Sequence, residues 1–135
     1  MTAGYSGTSL WKKLGLKQGQ TLCVLNPPED YQELLGEDCP SITIREAKTE
    51  GASFFHIFTK HRAELEAELQ QCLSAMDRDG MIWVSWPKKA SKVPTDITED
   101  VVREIALADI LVDVKVCAVD ATWSGLKLVI RKELR

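Results

Sequence analysis

The run Ser53-Phe54-Phe55-His56-Ile57-Phe58, the segment from His61 to Met76 and the run Met81-Ile82-Trp83-Val84-Ser85-Trp86 together decide the fold. The outer two read as strands, apolar on both faces, as in a sheet covered by helices on both sides. The middle segment carries Leu65, Leu69, Cys72, Leu73 and Met76 at spacings i, i+4, i+7, i+8 and i+11, one apolar helical stripe. Glu64, Glu66, Glu68, Gln70 and Gln71 fill its other face with soluble helix formers. Thr59 is placed to cap the first turn, and Asp77-Arg78-Asp79-Gly80 is expected to end the helix in a turn. Strand, helix and strand with short links predict a right-handed parallel crossover. The unit closes on Pro87-Lys88-Lys89.

Upstream, Ser9 to Leu14 predicts a short amphipathic helix with Leu10, Trp11 and Leu14 on its apolar side, stopped by Gly15. Thr21 to Leu25 predicts the first strand. Asn26-Pro27-Pro28-Glu29 breaks it and opens a short helix near Asp30 to Leu35. Ser41 to Arg45 alternates as a half-buried strand. The link from Glu46 to Gly51 is short for a parallel crossover between neighbours, which usually takes about a dozen residues. The second and third strands are therefore either antiparallel neighbours or lie on opposite sides of the first. Met1 to Thr8, rich in glycine and serine, is expected to be an irregular arm.

Downstream, Ala90 to Thr95 reads as a loop. Asp96, with Glu99 three residues on, predicts a capping box, with Thr98 as a rival cap. The helix that follows runs to about Ala108 and is expected to bury Val101, Val102, Ile105 and Leu107. From Leu111 to Val119, Val112, Val114, Val116 and Ala118 alternate with Asp113, Lys115 and Cys117. After the turn Asp120-Ala121-Thr122, Trp123 to Arg131 returns as the second arm of a β-hairpin. The whole predicts a single α/β domain over residues 1–135, a three-layer sandwich with a mostly parallel, Rossmann-like sheet of about six strands ending in an antiparallel hairpin.

The balance of 20 acidic and 17 basic residues, net −3, supplies no basic footprint for nucleic acid or an anionic membrane surface. No apolar run is long enough to span a membrane, and no signal-peptide core opens the chain, so a cytoplasmic protein is expected. Cys23, Cys39, Cys72 and Cys117 are widely spaced without a C-x-x-C pair, and only His56 and His61 could join them. Core thiols and no metal are the expectation.

The order strand, helix, strand, helix, hairpin from Ser53 onward resembles the C-terminal half of class I S-adenosylmethionine-dependent methyltransferases. That family has a glycine-rich loop after its first strand, where the backbone approaches the cofactor closely. Here the position holds Asn26-Pro27-Pro28-Glu29, so no working cofactor loop, and no cofactor, is expected. Glu46 falls near the family's acidic ribose ligand. The chain is also similar to a group of small bacterial proteins defined only as a domain of unknown function. That likeness rests on Gly4-Tyr5-Ser6-Gly7-Thr8, Lys13-Leu14-Gly15, Trp86-Pro87-Lys88-Lys89, the run from Thr95 to Asp100, that from Lys115 to Asp120, and Trp123-Ser124-Gly125-Leu126. It implies no activity.

Ligands of open α/β sheets bind outside the carboxyl ends of the parallel strands. That edge is expected to gather Lys60-His61-Arg62 and Trp86-Pro87-Lys88-Lys89, followed by Lys92. Cations at a helix N-terminus oppose the macrodipole, which makes Lys60, His61 and Arg62 either an anion site or three side chains leaning toward acidic neighbours. Trp86, Lys88 and Lys89 offer an aromatic platform beside ammonium groups. The opposing view is a tryptophan plugging the sheet end, with the lysines balanced by Asp96, Glu99 and Asp100. Asn26, Glu29, Tyr5 and Trp123 are possible accessory residues. The leading expectation is a non-catalytic binding or regulatory module for an anionic small molecule or a protein partner. The rivals are an enzyme of unassigned class with His61 as acid–base group, and a homodimer formed through the terminal hairpin.

Overall fold

In a computed structural model, residues 9–46 and 52–135 are described. The arm that includes Tyr5 and most of the link after the second strand lie outside the described residues. Among the described residues four α-helices, α1 (Leu10–Leu14), α2 (Tyr31–Leu35), α3 (Arg62–Ala75) and α4 (Glu99–Leu107), accompany six strands. The strands are β1 (Thr21–Leu25), β2 (Thr43–Arg45), β3 (Ala52–Phe58), β4 (Met76–Pro87), β5 (Leu111–Ala118) and β6 (Trp123–Ile130). They form one sheet in the order β2-β1-β3-β4-β6-β5. β1 to β4 are mutually parallel, and β6 runs antiparallel between β4 and β5. β2 and β3 lie on opposite sides of β1, and β2 has only three residues, so the short link has little strand to retrace.

Two apolar clusters sit on the two faces of this sheet. Beneath α3 and α4, Leu65, Leu69, Cys72, Val102 and Ala106 pack on Phe55, Ile57, Ile82, Val84 and Leu126. Beneath α1 and α2, Leu10, Leu14, Tyr31 and Leu35 pack on Phe54, Phe58 and Trp83. α1 ends at Gly15, whose φ of 84° is the left-handed conformation that glycine adopts most cheaply. The carbonyl of Leu14 accepts a 3.1 Å hydrogen bond from the buried Trp83 indole. A five-residue helix of little intrinsic stability is thereby tied to the sheet.

Several expectations are corrected. β4 begins at Met76, directly after α3, and the expected turn 77–80 is extended chain. Ala52 pairs with Met76 and Phe54 with Met81, so those residues bulge out of the ladder. A Cβ at Gly80 would stand 2.5 Å from the Met76 side chain, which would have to shift to admit it. Leu107 is 46% exposed, because α4 buries Val102 and Ala106 and has already turned Leu107 away. Val114 and Val116 are exposed as well. β5 is an edge strand with a bulge between Asp113 and Lys115, which breaks the simple alternation. Beside that bulge Lys115 faces Lys127 across the hairpin, a like-charge pairing that works against the ladder.

The caps also exchange. Thr98 caps its own helix, accepting from Val101 N–H at 3.2 Å. Asp96 instead reaches α3, where Oδ1 accepts from the Arg62 backbone N–H at 2.7 Å. Thr59, expected as the cap of α3, donates its hydroxyl to Glu64 at 2.9 Å. The loop before α4 is thus bonded to the start of α3. The carbonyl of Lys60 accepts from Thr95 Oγ1 at 2.7 Å and from Asp96 N at 3.2 Å.

Asp96→Ala leaves the first turn of α3 uncapped and is expected to cost about 1 kcal/mol in urea denaturation. Lys127→Glu, which turns the cross-strand repulsion into attraction, is expected to stabilise the protein by about 0.5 kcal/mol in the same assay.

Candidate functional site at the carboxyl edge of the sheet

β1 leads to its neighbour β2 through α2 on one face, and β3 leads to β4 through α3 on the other. The strand order therefore reverses between β1 and β3, where open α/β sheets take their ligands. Asn26 closes that crevice. Its φ of 58° is left-handed, a conformation asparagine tolerates better than most residues. Its amide donates to the carbonyl of Phe58 at 3.2 Å and to the Glu68 carboxylate at 2.9 Å. Burial raises the Glu68 carboxyl above its ordinary value, and the bond from Asn26 acts the other way.

On the α2 side of this bridge lies a cavity of about 430 Å³ whose wall carries Glu29, Asp30, Glu33 and Glu46. On the other side, at the end of β4, lies a groove of about 630 Å³. Trp86, Pro87 and the buried Ile97 line it with the more accessible Val93 and Pro94, and Lys88, Lys89 and Lys92 line it as well. The acidic residues expected to neutralise these lysines are engaged elsewhere. Asp96 caps α3. Glu99 and Asp100 both pair with Arg103, which also binds Asp113 at 3.0 Å. Among the described residues no carboxylate lies within ion-pairing distance of the three lysines. Glu99 does line the groove, but its carboxylate is drawn to Arg103.

The sequence-predicted residues therefore separate. Lys88 and Lys89 line the groove, together with Trp86, which is only 5% exposed and offers little stacking surface. Lys60, His61 and Arg62 are not among the residues lining it. Arg62 leans toward Glu104 and Glu66, the ordinary fate of an exposed arginine. His61 stands exposed at the N-cap of α3. Trp123 packs edge-on against Phe58 with ring centres 5.0 Å apart. Glu29 and Asn26 belong to the acidic cavity and to the bridge. Ile97 and Ser124, which complete the groove, were not legible, since only the docking of the loop and the hairpin brings them to the end of β4.

The buried polar centre was also missed. His56 is fully buried on β3, with Nδ1 2.8 Å from the Tyr31 hydroxyl and Nε2 2.7 Å from Ser85 Oγ. A neutral imidazole has one donor and one acceptor, and this pair of hydroxyls satisfies both. The ring stacks on Phe58, with centres 4.3 Å apart. Burial pushes the His56 pKa down to about 3 and the Tyr31 phenol far up. Ser85 is fully buried too, so the trio holds structure together and presents no nucleophile.

No family model matches the chain, and no curated protein matches it. Solved structures do. LepI in complex with SAM superposes with a TM-score of 0.54 at 14% identity over 90% of this chain, and the chain spans 39% of LepI. The ribosomal protein L11 methylase from Lactobacillus delbrueckii subsp. bulgaricus gives 0.52 at 9% identity, covering 89% of this chain and 74% of that one. A putative type 11 methyltransferase from Sulfolobus solfataricus gives 0.52 at 10% identity, with 91% and 90% covered. The chain has a methyltransferase-like fold.

The His56 environment predicts an acid-sensitive stability. The folded protein keeps the ring neutral down to about pH 3, whereas the unfolded chain takes up a proton near its ordinary 6.5. Stability is complete above that upper value and falls as the pH drops toward the lower one, by up to about 1.4 kcal/mol per pH unit. Urea titrations between pH 7 and 4 should show this limb, and His56→Gln should make it shallower by about one proton.

Proposed function

We propose that the protein is a non-catalytic binding module that takes an anionic small molecule in the groove between the end of β4 and the loop before α4. The observation that carries the reading is the charge inventory. Lys88, Lys89 and Lys92 line the groove, while Asp96, Glu99 and Asp100 are committed to α3 and Arg103. Ammonium groups in a concave, partly apolar setting attract an anion more strongly than the same groups on an open surface. The bridge from Asn26 to Phe58 and Glu68 across the strand-order reversal also favours a binding role over cofactor-dependent chemistry.

A second reading, an enzyme using S-adenosylmethionine, draws on the fold likeness and on Glu46 in the acidic cavity, where a carboxylate could accept from ribose hydroxyls. In that cavity the carboxylates stand beside Pro27 and Pro28, which have no N–H to offer.

One experiment separates the two. Thermal denaturation is followed with nucleotides, S-adenosylmethionine, phosphates and acidic metabolites, for the parent and for Lys88→Ala/Lys89→Ala. A ligand at about 100 times its dissociation constant adds roughly 2.7 kcal/mol, several degrees for a domain of this size. The expected result is a shift with an anionic ligand that the double variant loses. A shift with S-adenosylmethionine that persists in the double variant favours the enzyme reading.

A further inference from the structure

We infer that Lys92 is the residue that holds the ligand's anionic group, and that the ligand is an amphipathic anion with an apolar body seated against Val93 and Pro94. The inference rests on the groove reading above and goes on to assign the ligand's polarity and orientation.

The backbone at Lys92 carries the argument. Lys89–Ser91 form one turn of 3-10 helix, and Lys92 follows it with φ 63° and ψ 11°, left-handed backbone. Both flanks hold that conformation in place. On one side Lys92 N–H closes the turn onto the Lys89 carbonyl at 3.1 Å, and the Ser91 hydroxyl donates to the Lys88 carbonyl at 2.7 Å. On the other side Val93 N–H returns to Ser91 Oγ at 3.2 Å, and Pro94 confines Val93 to extended backbone. The turn would form most cheaply with glycine at this position. Among the described residues the non-glycine positions with positive φ are Asn26 and Lys92, both at the carboxyl edge of the sheet. Asn26 uses its side chain to bridge the crevice. Lys92 is exposed and lines the groove, with no hydrogen bond or ion pair to its ammonium group among the described residues. A strained backbone that presents an unpaired cation to a cavity is the arrangement expected of a ligand-holding residue.

The rest of the groove sets the ligand's other end. Val93 and Pro94 make the wall beyond Lys92 apolar, whereas Ile97 is buried; the Thr95 hydroxyl donates to the Lys60 carbonyl and the Thr98 hydroxyl caps α4. At about 630 Å³ the groove admits an organic molecule of metabolite size, and an inorganic oxyanion would leave most of it unfilled. The loop's bonds to Lys60 and Arg62 hold the apolar wall in place before any ligand arrives.

The test uses 1-naphthyl phosphate, 1-naphthol and inorganic phosphate as probes, with calorimetric titration and melting temperatures for the parent, Lys92→Gly, Lys92→Arg and Lys88→Ala/Lys89→Ala. Naphthyl phosphate is expected to bind at least about tenfold more tightly than either fragment. Lys92→Gly should melt about 2 °C higher because the turn relaxes, yet bind naphthyl phosphate about tenfold more weakly. Lys92→Arg should keep the affinity. Parent-like affinity in Lys92→Gly, or a lower melting temperature for it, overturns the inference; if the double lysine variant still loses anion binding, the broader groove reading stands. Failure of naphthyl phosphate to outbind phosphate also overturns the inference, and the anion screen above then decides the groove reading separately.

Discussion

A fully buried imidazole must satisfy both ring nitrogens, and the seating of α2 on the sheet beside β4 answers that need. His56 lies in the middle of the sheet, and its partners come from an adjoining strand and from a five-residue helix. An unmet nitrogen there would cost more than the net worth of an ordinary hydrogen bond. Tyr31 therefore holds α2 at one distance and one angle over β3. Its ring meets His56 and Phe58 edge-on, and Phe58 in turn meets Trp123 at the start of β6. A chain of aromatic contacts runs from α2 across the sheet to the hairpin. The same closure leaves the ring neutral.

The carboxyl edge follows a different logic, in which carboxylates are redistributed. Asp96 leaves its own helix to cap α3, Thr98 takes its place, and Arg103 gathers Glu99, Asp100 and Asp113. Each step has a local reason: an orphan N–H at a helix start, a hydroxyl of the right reach, a guanidinium with several donors. Their sum leaves the lysines after β4 without carboxylate partners among the described residues. The likeness to methyltransferase structures covers the arrangement of strands and helices. After β1, Asn26 occupies a left-handed position and spans the crevice with its side chain.

Much of this was legible in the chain. The stripe of α3, the apolar strands around it, the Gly15 stop and the Asp120 turn, whose carboxylate accepts from the Thr122 and Trp123 N–H groups, are local patterns. The six-strand α/β sheet and its terminal hairpin follow from them. Less legible were the bulges after Ala75 and at Val114, since a bulge is set by how two strands register against each other. The candidate site was half legible. Lys88 and Lys89 stand out as a run, but the fate of Arg62, which pairs with Glu104 of another helix, depends on residues remote in sequence.

By itself, then, the sequence determined the periodicities, the helix and turn signals and hence the fold class, because these depend on neighbours within a turn or a strand. The tertiary structure alone decided that β2 and β3 flank β1, that Tyr31 and Ser85 meet His56, and that Asp96 caps a helix 34 residues away. Those outcomes turn on competition among distant partners for the same donors and acceptors, and packing resolves that competition only once the sheet has formed.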